Sequence, residues 1–279
     1  MRKLEERIFK VLMIISSLVI MSVLLYILWI IIRRGLPSLT WDMVSKVPSG
    51  GFYLGKEGGI LNAIVGSLYL IFGSVLISTL ISLPVALYIN FLISKKSRFS
   101  SIVRFSFDIL FGIPSIVYGA FGFMVMIYLG IQASLLGGII AVSLLIIPIM
   151  VRSIDEVAVY VPKDLIEAPL SLGATKFETL KVVVRQILPG ITTAILLAVG
   201  RGIGDAATVL FTAGYTDSIN LSPAQPAATL PLAIFFQLSS PIEEVQNRAY
   251  AAALILTIII LVISFSTRYF GNKLSKSKV

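Results

Sequence analysis

Hydrophobic positions in this chain fall into long uninterrupted runs, and short polar intervals punctuate them. Residues 11–32 carry no charge, follow the basic residues Arg2, Lys3, Arg7 and Lys10, and end in Arg33-Arg34. A signal peptide has a shorter apolar centre and small residues at its cleavage site, so this run predicts a retained first membrane span. A polar segment with Pro37, Pro48, Gly50, Gly51, Gly58 and Gly59 follows. Residues 58–94 are again uncharged and predict a second span that starts near Leu61 and bends at Pro84. Residues 109–151 contain no charge at all. One helix cannot use them all, so two spans must turn back on each other near residues 130–134. A fifth span is predicted over residues 191–212 and a sixth over 249–267, with a short helix through Gln237 between them.

The polar interval between the fourth and fifth spans is patterned as two short helices joined at a glycine. Pro162 suits a first helical turn and Gly173 the left-handed position past a helix end, which predicts a helix over residues 163–172. Thr175 followed by Glu178 has the spacing of a capping box, so a second helix begins near Lys176. Phe177, Leu180, Val184 and Ile187 share one of its faces, and Pro189-Gly190 is expected to end it. A compact helical elbow beside the membrane is the result, within a loop of residues 152–190.

Composition narrows the class. With 57% hydrophobic and 13% charged residues in 279, the chain is an all-α polytopic membrane protein, a bundle of six transmembrane helices forming one domain over residues 11–279. It has no Cys and no His, so disulfides, thiolate chemistry and imidazole ligands are excluded, and no carboxylates cluster as a metal site would require. No phosphate-cradling GxxxxGK[ST] run is present, so no catalytic residue, cofactor or intrinsic ATP hydrolysis is expected. The net charge of +9 is spread over several short loops, which argues for membrane topology and against nucleic acid. Counted loop by loop, 17 of the 23 basic residues fall on the face that holds the N-terminus (residues 1–10), the 95–104 loop, the elbow and the C-terminus. By the positive-inside rule that face is cytoplasmic. Arg33-Arg34 runs against the trend and is expected to reach the outer headgroups.

Two ionisable residues lie inside an apolar run. Arg201 and Asp205 are four apart in GRGIGDAATVLFTAG, residues 200–214, and can pair on one helix face. A charge at bilayer depth costs roughly 2.5–3.5 kcal/mol on insertion scales, so such residues face a partner, the protein interior or a wet cavity. Two readings stand: an ion pair that locks spans together, or an arginine facing the translocation path with Asp205 orienting it. A planar guanidinium suits a tetrahedral oxyanion because it donates paired hydrogen bonds. Gly200, Gly202 and Gly204 permit close backbone approach or a break in the helix there. In GIPSIVYGAFG, residues 112–122, Pro114 with Ser115 and Tyr118 either serves helix packing or kinks the third span and lines the path. Asn62 and Asn90 are expected to hydrogen-bond between helices.

Glu167-Ala168-Pro169 with Gly173, followed by a basic amphipathic helix, resembles the "EAA" loop of ABC importer permeases of type I. The chain departs from that pattern at Pro169 and in the later placement of Pro189. GGILNAIVGSL (58–68), GIPSIVYGAFG, EAPLSLGATKFETL (167–180) and GRGIGDAATVLFTAG together resemble the phosphate-transport permeases of this family, where glutamate is usual at the position of Asp205. The tail at residues 230–256 is similar to the A-type of the two permease types. The resemblance implies that Glu167, Ala168 and Gly173 couple to an ATPase and that Arg201 and Asp205 lie on the substrate path. It further implies a second permease subunit, two ATP-binding subunits, an extracytoplasmic phosphate-binding protein, phosphate as substrate, and the prokaryotic plasma membrane as location. Three alternatives remain at this level: a permease for sulfate or molybdate, an ion-driven transporter or channel, and a membrane scaffold. The absence of an inverted-repeat pair of broken spans weighs against the second.

Overall fold

A computed structural model describes residues 2–49, 57–93, 97–220 and 222–276. Gly50, Gly51, Lys56, Lys95, Lys96 and Lys278, used above in the loop and charge readings, lie outside the described residues. Among the described residues the chain is helical apart from a two-residue antiparallel ribbon, Pro48–Ser49 with Glu57–Gly58. Helix α1 is Arg2–Gly35, followed by a short turn at Leu36–Ser38 and by α2, Trp41–Ser45. Helix α3 is Leu61–Leu87 and loosens into a π-helical turn at Tyr88–Leu92. Then come α4 (Arg98–Gly112), α5 (Ser115–Tyr128), α6 (Leu135–Val159), α7 (Asp164–Ser171) and α8 (Lys176–Ile203). The chain closes with α9 (Ala206–Thr212), α10 (Leu230–Leu238) and α11 (Glu243–Lys276).

Helices α1, α3, α6, α8 and α11 are each long and apolar enough to cross a membrane, and α4 with α5 forms a sixth candidate bent by 99°. Hydrogen bonds between α3 and α6 settle how to count that pair. Ser74, Ser78 and Ser82 donate to the carbonyls of Ile139, Ser143 and Ile147 at 3.1, 3.2 and 3.3 Å, and Ser143 returns a bond to the Ser74 carbonyl. Partner numbers rise together, so α3 and α6 are parallel. Two parallel crossings need an odd number of crossings between them, and only α4–α5 lies there. The bundle therefore has six spans, with the third one bent.

The bend is local chemistry. Ile113 precedes proline and is extended at φ −74°, ψ 129°, as the steric demand of the proline ring requires, and Pro114 caps α5. The Tyr118 hydroxyl reaches back across the bend to the Leu110 carbonyl at 2.8 Å. Tyr118 is thus a buried brace and does not line a path. Past Gly130, which holds φ +67°, Ser134 caps α6, so the predicted turn at residues 130–134 is present.

Two expected boundaries move. The helix begun at Lys176 continues through Pro189-Gly190 to Ile203, where the sequence pattern ended it. Proline inside a membrane helix is tolerated where neighbouring groups re-satisfy the backbone, and α8 accommodates Pro189 without ending. Gly190 serves packing instead: a side chain there would meet Val157 at 2.6 Å. The fifth span is consequently α8, residues 176–203, and breaks before residue 212. Gly202 lies against Val142 and Ile146 while Gly190 lies against Val157, so α8 runs antiparallel to α6. Near the elbow, Ala86, Ile154, Ala158, Ile187, Ile191 and Ala194 form the core joining α3, α6 and α8. At the far end α10 is tucked between α3 and α11, its Leu230 amide bonded to the Ser67 hydroxyl at 2.8 Å. Helix α1 meets the bundle at Gly35, packed on the Tyr250 backbone, and at Arg34, whose guanidinium sits 5.4 Å from the Tyr250 ring; its apolar length is otherwise uncovered.

Candidate functional site

The fifth span ends where the glycines predicted weakness. Helix α8 stops at Ile203, Gly204 carries φ −95° and ψ 0°, and Asp205 swings to an extended conformation. Its carboxylate Oδ2 accepts the Thr208 amide at 2.8 Å, starting α9. Asp205 is therefore an N-cap at a break inside the membrane and not a member of a continuous helix. The carboxylate satisfies a backbone donor that the break would otherwise orphan, at a place where no solvent substitutes for it.

Arg201 sits in the last turn of α8, with Nη2 3.9 Å from Asp205 Oδ1. Its side chain is 50% exposed against 5% for Asp205. At that length the contact is a loose electrostatic tether, which leaves the guanidinium donors free for another acceptor. The arginine belongs to a stripe of α8 that this chain leaves uncovered: Thr193, Leu197, Gly200, Arg201 and Gly204. A Cβ at Gly200 would meet nothing within 4 Å. One face of the break is thus packed in the bundle, through Asp205, Gly202 and Ile203, and the other presents a cation.

The motif around Pro114 comes to the same place. The Thr208 hydroxyl donates to the Ser115 carbonyl at 3.1 Å, and Gly119 lies against the backbone of Ala207 and Thr208, closer than any side chain would allow. The start of α5 and the first turn of α9 are therefore joined next to the cap formed by Asp205.

The second predicted group is elsewhere. Glu167 and Ala168 are exposed on α7, and the helix ends as expected: the Gly173 amide donates to Leu170 and the Ala174 amide to Pro169, both at 3.0 Å, with Gly173 at φ +85°. The capping box is present, the Thr175 hydroxyl accepting the Glu178 amide at 3.3 Å and Glu178 accepting the Thr175 amide at 2.8 Å. Around this elbow Tyr160, Leu172 and Phe177 are exposed by 86%, 89% and 66%. Three large apolar side chains on a polar, charged surface mark a place meant to be covered. The structure does not bring the elbow to Arg201: the 25 residues of α8 that separate Lys176 from Arg201 rise about 38 Å.

Composition and spacing missed a third cluster. Arg104 on α4 donates Nε and Nη2 to the two carboxylate oxygens of Asp155 on α6 at 2.9 and 3.0 Å, Nη1 to Ser100 at 2.9 Å and Nη2 to Asn90 at 3.1 Å. Asn90, in the π-helical turn, donates to Asp155 at 2.6 Å, which confirms its expected role between helices. Asn62 binds the Thr216 carbonyl at 2.7 Å, which is a loop. Arg104 had been counted with a basic loop; its partner is 51 residues away, and no local pattern pairs them.

A family model described as "Binding-protein-dependent transport system inner membrane component" matches residues 82–276. The chain is 33% identical to the phosphate transport system permease protein PstA of Haemophilus influenzae, over 96% of this chain and 94% of that protein. It is 31% identical to the PstA of Yersinia pestis, over 98% and 92%, and 32% identical to PstA 1 of Mycobacterium tuberculosis strain H37Rv, over 90% and 82%. Among solved structures, the inward-facing MetNI methionine ABC transporter superposes with a TM-score of 0.64 at 19% identity, covering 77% of this chain and 95% of that one. That likeness is one of fold.

Proposed function

We infer the function of this chain from the fact that it belongs to the family of binding-protein-dependent transport system inner membrane components and, within it, resembles the phosphate permeases along nearly its whole length: it is a membrane-spanning permease subunit of an ATP-driven importer of inorganic phosphate. It works with ATP-binding and substrate-binding components. In the finer reading these are two ATP-hydrolysing subunits, an extracytoplasmic phosphate-binding protein and a second permease that faces the uncovered stripe of α8. Both termini and the 152–190 loop lie in the cytoplasm, as the distribution of basic residues supports.

The observation that carries the role of the site is the Arg201 guanidinium, presented on an uncovered face at a helix break while the carboxylate beside it, Asp205, is engaged as a cap. A dehydrating anion needs donors fixed in advance, and a guanidinium fork supplies two to one tetrahedral oxyanion. Translocation proceeds by alternating access. ATP-driven closure of the ATPases, docked on Glu167, Ala168 and the apolar side chains around Gly173, tilts the spans attached to the elbow while phosphate passes Arg201.

The test is uptake of labelled phosphate by the complete importer carrying Arg201→Glu, with the amount of inserted subunit measured alongside. Loss of uptake with normal insertion is expected, and uptake at the unmodified rate would remove Arg201 from the path. Competition by sulfate and molybdate in the same assay separates phosphate from other oxyanions. Transport that persists without ATP would replace the reading with an ion-driven one.

A further inference from the structure

The elbow and the arginine are separated by the length of α8, and something must connect them. Helix α8 itself is a poor candidate, because it is continuous and packed along its length on α6. The buried cluster around Arg104 lies on a second route. Asp155 is one turn before the end of α6, from which the chain enters the elbow. Its side chain is 8% exposed and holds Arg104 by both oxygens. Arg104 lies on α4, and α4 leads through the 99° bend at Ile113-Pro114 into Ser115, whose carbonyl holds Thr208 beside Asp205 and Arg201. Every link between the elbow and the anion site on this route is a covalent segment or a hydrogen bond.

Helix α4 is also thinly packed on one side. Phe99, Ile102, Phe105 and Ile109 are more than half exposed, and between α4 and the wall made by α3 and the start of α8 lies an apolar groove of about 840 Å³ lined by Leu83, Pro84, Tyr88, Val103, Phe107 and Phe177. The helix is gripped at Arg104, with the half-exposed Asp108–Arg152 pair at 2.8 Å and the Ser100 hydroxyl on the Ile89 carbonyl as further ties, and it bridges a groove on its other side. If holding α4 in place were all that was required, apolar side chains filling that groove would do it without desolvating two charges. A two-pronged ionic grip fixes direction as well as distance, and an apolar contact would slip.

We propose that Arg104 and Asp155 are positioning residues for transport: the joint through which displacement of the elbow is passed to α4, across the Pro114 bend, and so to the helix break that carries Arg201. Asn90 and Ser100 hold the joint in register by spending the remaining guanidinium and carboxylate valences. The proposal rests on the reading that an ATPase drives the elbow.

The chain contains no cysteine, which makes a reporter simple to install. In the complete importer in lipid vesicles, Leu197→Cys on the uncovered stripe of α8 is labelled with a thiol reagent with and without ATP plus vanadate, and the labelled peptide is quantified. Phosphate uptake, ATP hydrolysis and assembled complex are measured on the same preparation. In the otherwise unmodified importer the labelling rate changes with nucleotide. With Asp155→Asn or Arg104→Gln added, that change is expected to disappear and uptake to fall roughly tenfold while assembled complex and ATP hydrolysis persist. Variants that keep the nucleotide-dependent labelling, or in which uptake and hydrolysis fall only in proportion to assembled complex, would reduce the cluster to a structural contact and overturn the proposal. If the reporter does not respond even with Arg104 and Asp155 intact, the elbow reading fails and the joint falls with it.

Discussion

Replacing Asp205 separates two jobs that its carboxylate performs. The buried Oδ2 accepts the Thr208 amide at 2.8 Å, and Oδ1 faces Arg201 at 3.9 Å. Losing an N-cap costs about 1 kcal/mol, with a range of roughly 0.5–2. Thr208 is fully buried, so water cannot replace the lost acceptor and the cost falls at the upper end of that range, about 2 kcal/mol. The tether to a half-exposed arginine is worth under about 1 kcal/mol. The cap dominates, and asparagine caps about as well as aspartate. Asp205→Ala is therefore expected to destabilise the permease by about 2 kcal/mol, whereas Asp205→Asn stays near the unmodified protein. Thermal unfolding of the purified complex in detergent, followed by size-exclusion chromatography, reads the order directly. An asparagine variant that melts as early as the alanine variant would show that charge, and not capping, holds the break. Because Asp205→Asn keeps the fold, a change in its phosphate uptake reports on the charge beside Arg201.

Gly66→Val should abolish folded permease, since a Cβ there would run into the Ala228 carbonyl, whereas Gly200→Ala should insert and fold normally, with open space around it; membrane yield of each variant decides. Thr175→Ala removes the cap of α8 at the elbow and costs about 1 kcal/mol locally, which should speed amide exchange in residues 176–180 without lowering the melting temperature of the bundle. Replacing Ser74, Ser78 and Ser82 together by alanine should destabilise by about 2 kcal/mol, each interhelical bond in a membrane being worth ~0.6 kcal/mol, and an unchanged melting temperature would show that packing alone sets the α3–α6 register. Amide exchange compared with and without nucleotide should change over residues 98–118 and 200–208 and remain constant over 70–87 and 139–154; change spread evenly over the bundle would contradict that division.

The sequence was legible wherever a signal is local. The elbow's stop at Gly173 and its capping box depend on residues three to five apart, and both are present. The break at Gly204 was foreshadowed by three glycines around a charge. Apolar length located the spans but not their ends, because helices continue past the hydrocarbon where nothing stops them: α8 starts at Lys176 and α11 extends from Glu243 to Lys276. Pro189 was misjudged by a rule calibrated on soluble helices, whereas membrane helices carry proline in their interior, as Pro84 and Pro148 also do here. Arg104 was illegible in principle. Its charge was counted with the loop at residues 95–104, and only the three-dimensional return of α6 to α4 turns that charge inward to Asp155.

The distribution of hydrogen bonds separates the parts of this bundle that hold from the parts that yield. Between apolar helices in lipid the hydrophobic effect offers no preference for one register over another, since lipid is as apolar as leucine. Register must come from small side chains and directional bonds. Helices α3 and α6 have both at four-residue intervals, and the Ala86, Ile154, Ala158 and Ala194 core brings α8 into the same frame. Helices α4 and α5 have no such ladder. They are attached at Arg104, at Ser100 and by the half-exposed Asp108–Arg152 pair, by the Tyr118 brace across their own bend, and at Ser115, with an apolar groove on one side of α4 and exposed side chains on another. Moving α3 against α6 would break a row of buried bonds at once, whereas swinging α4 about Ile113-Pro114 loads only a few separate contacts, the Tyr118 brace, the Ser100–Ile89 bond and the half-exposed Asp108–Arg152 pair, provided Arg104 keeps its grip on Asp155. On the proposed coupling, motion admitted at the elbow therefore reaches Arg201 through α4 more readily than through the α3–α6 ladder.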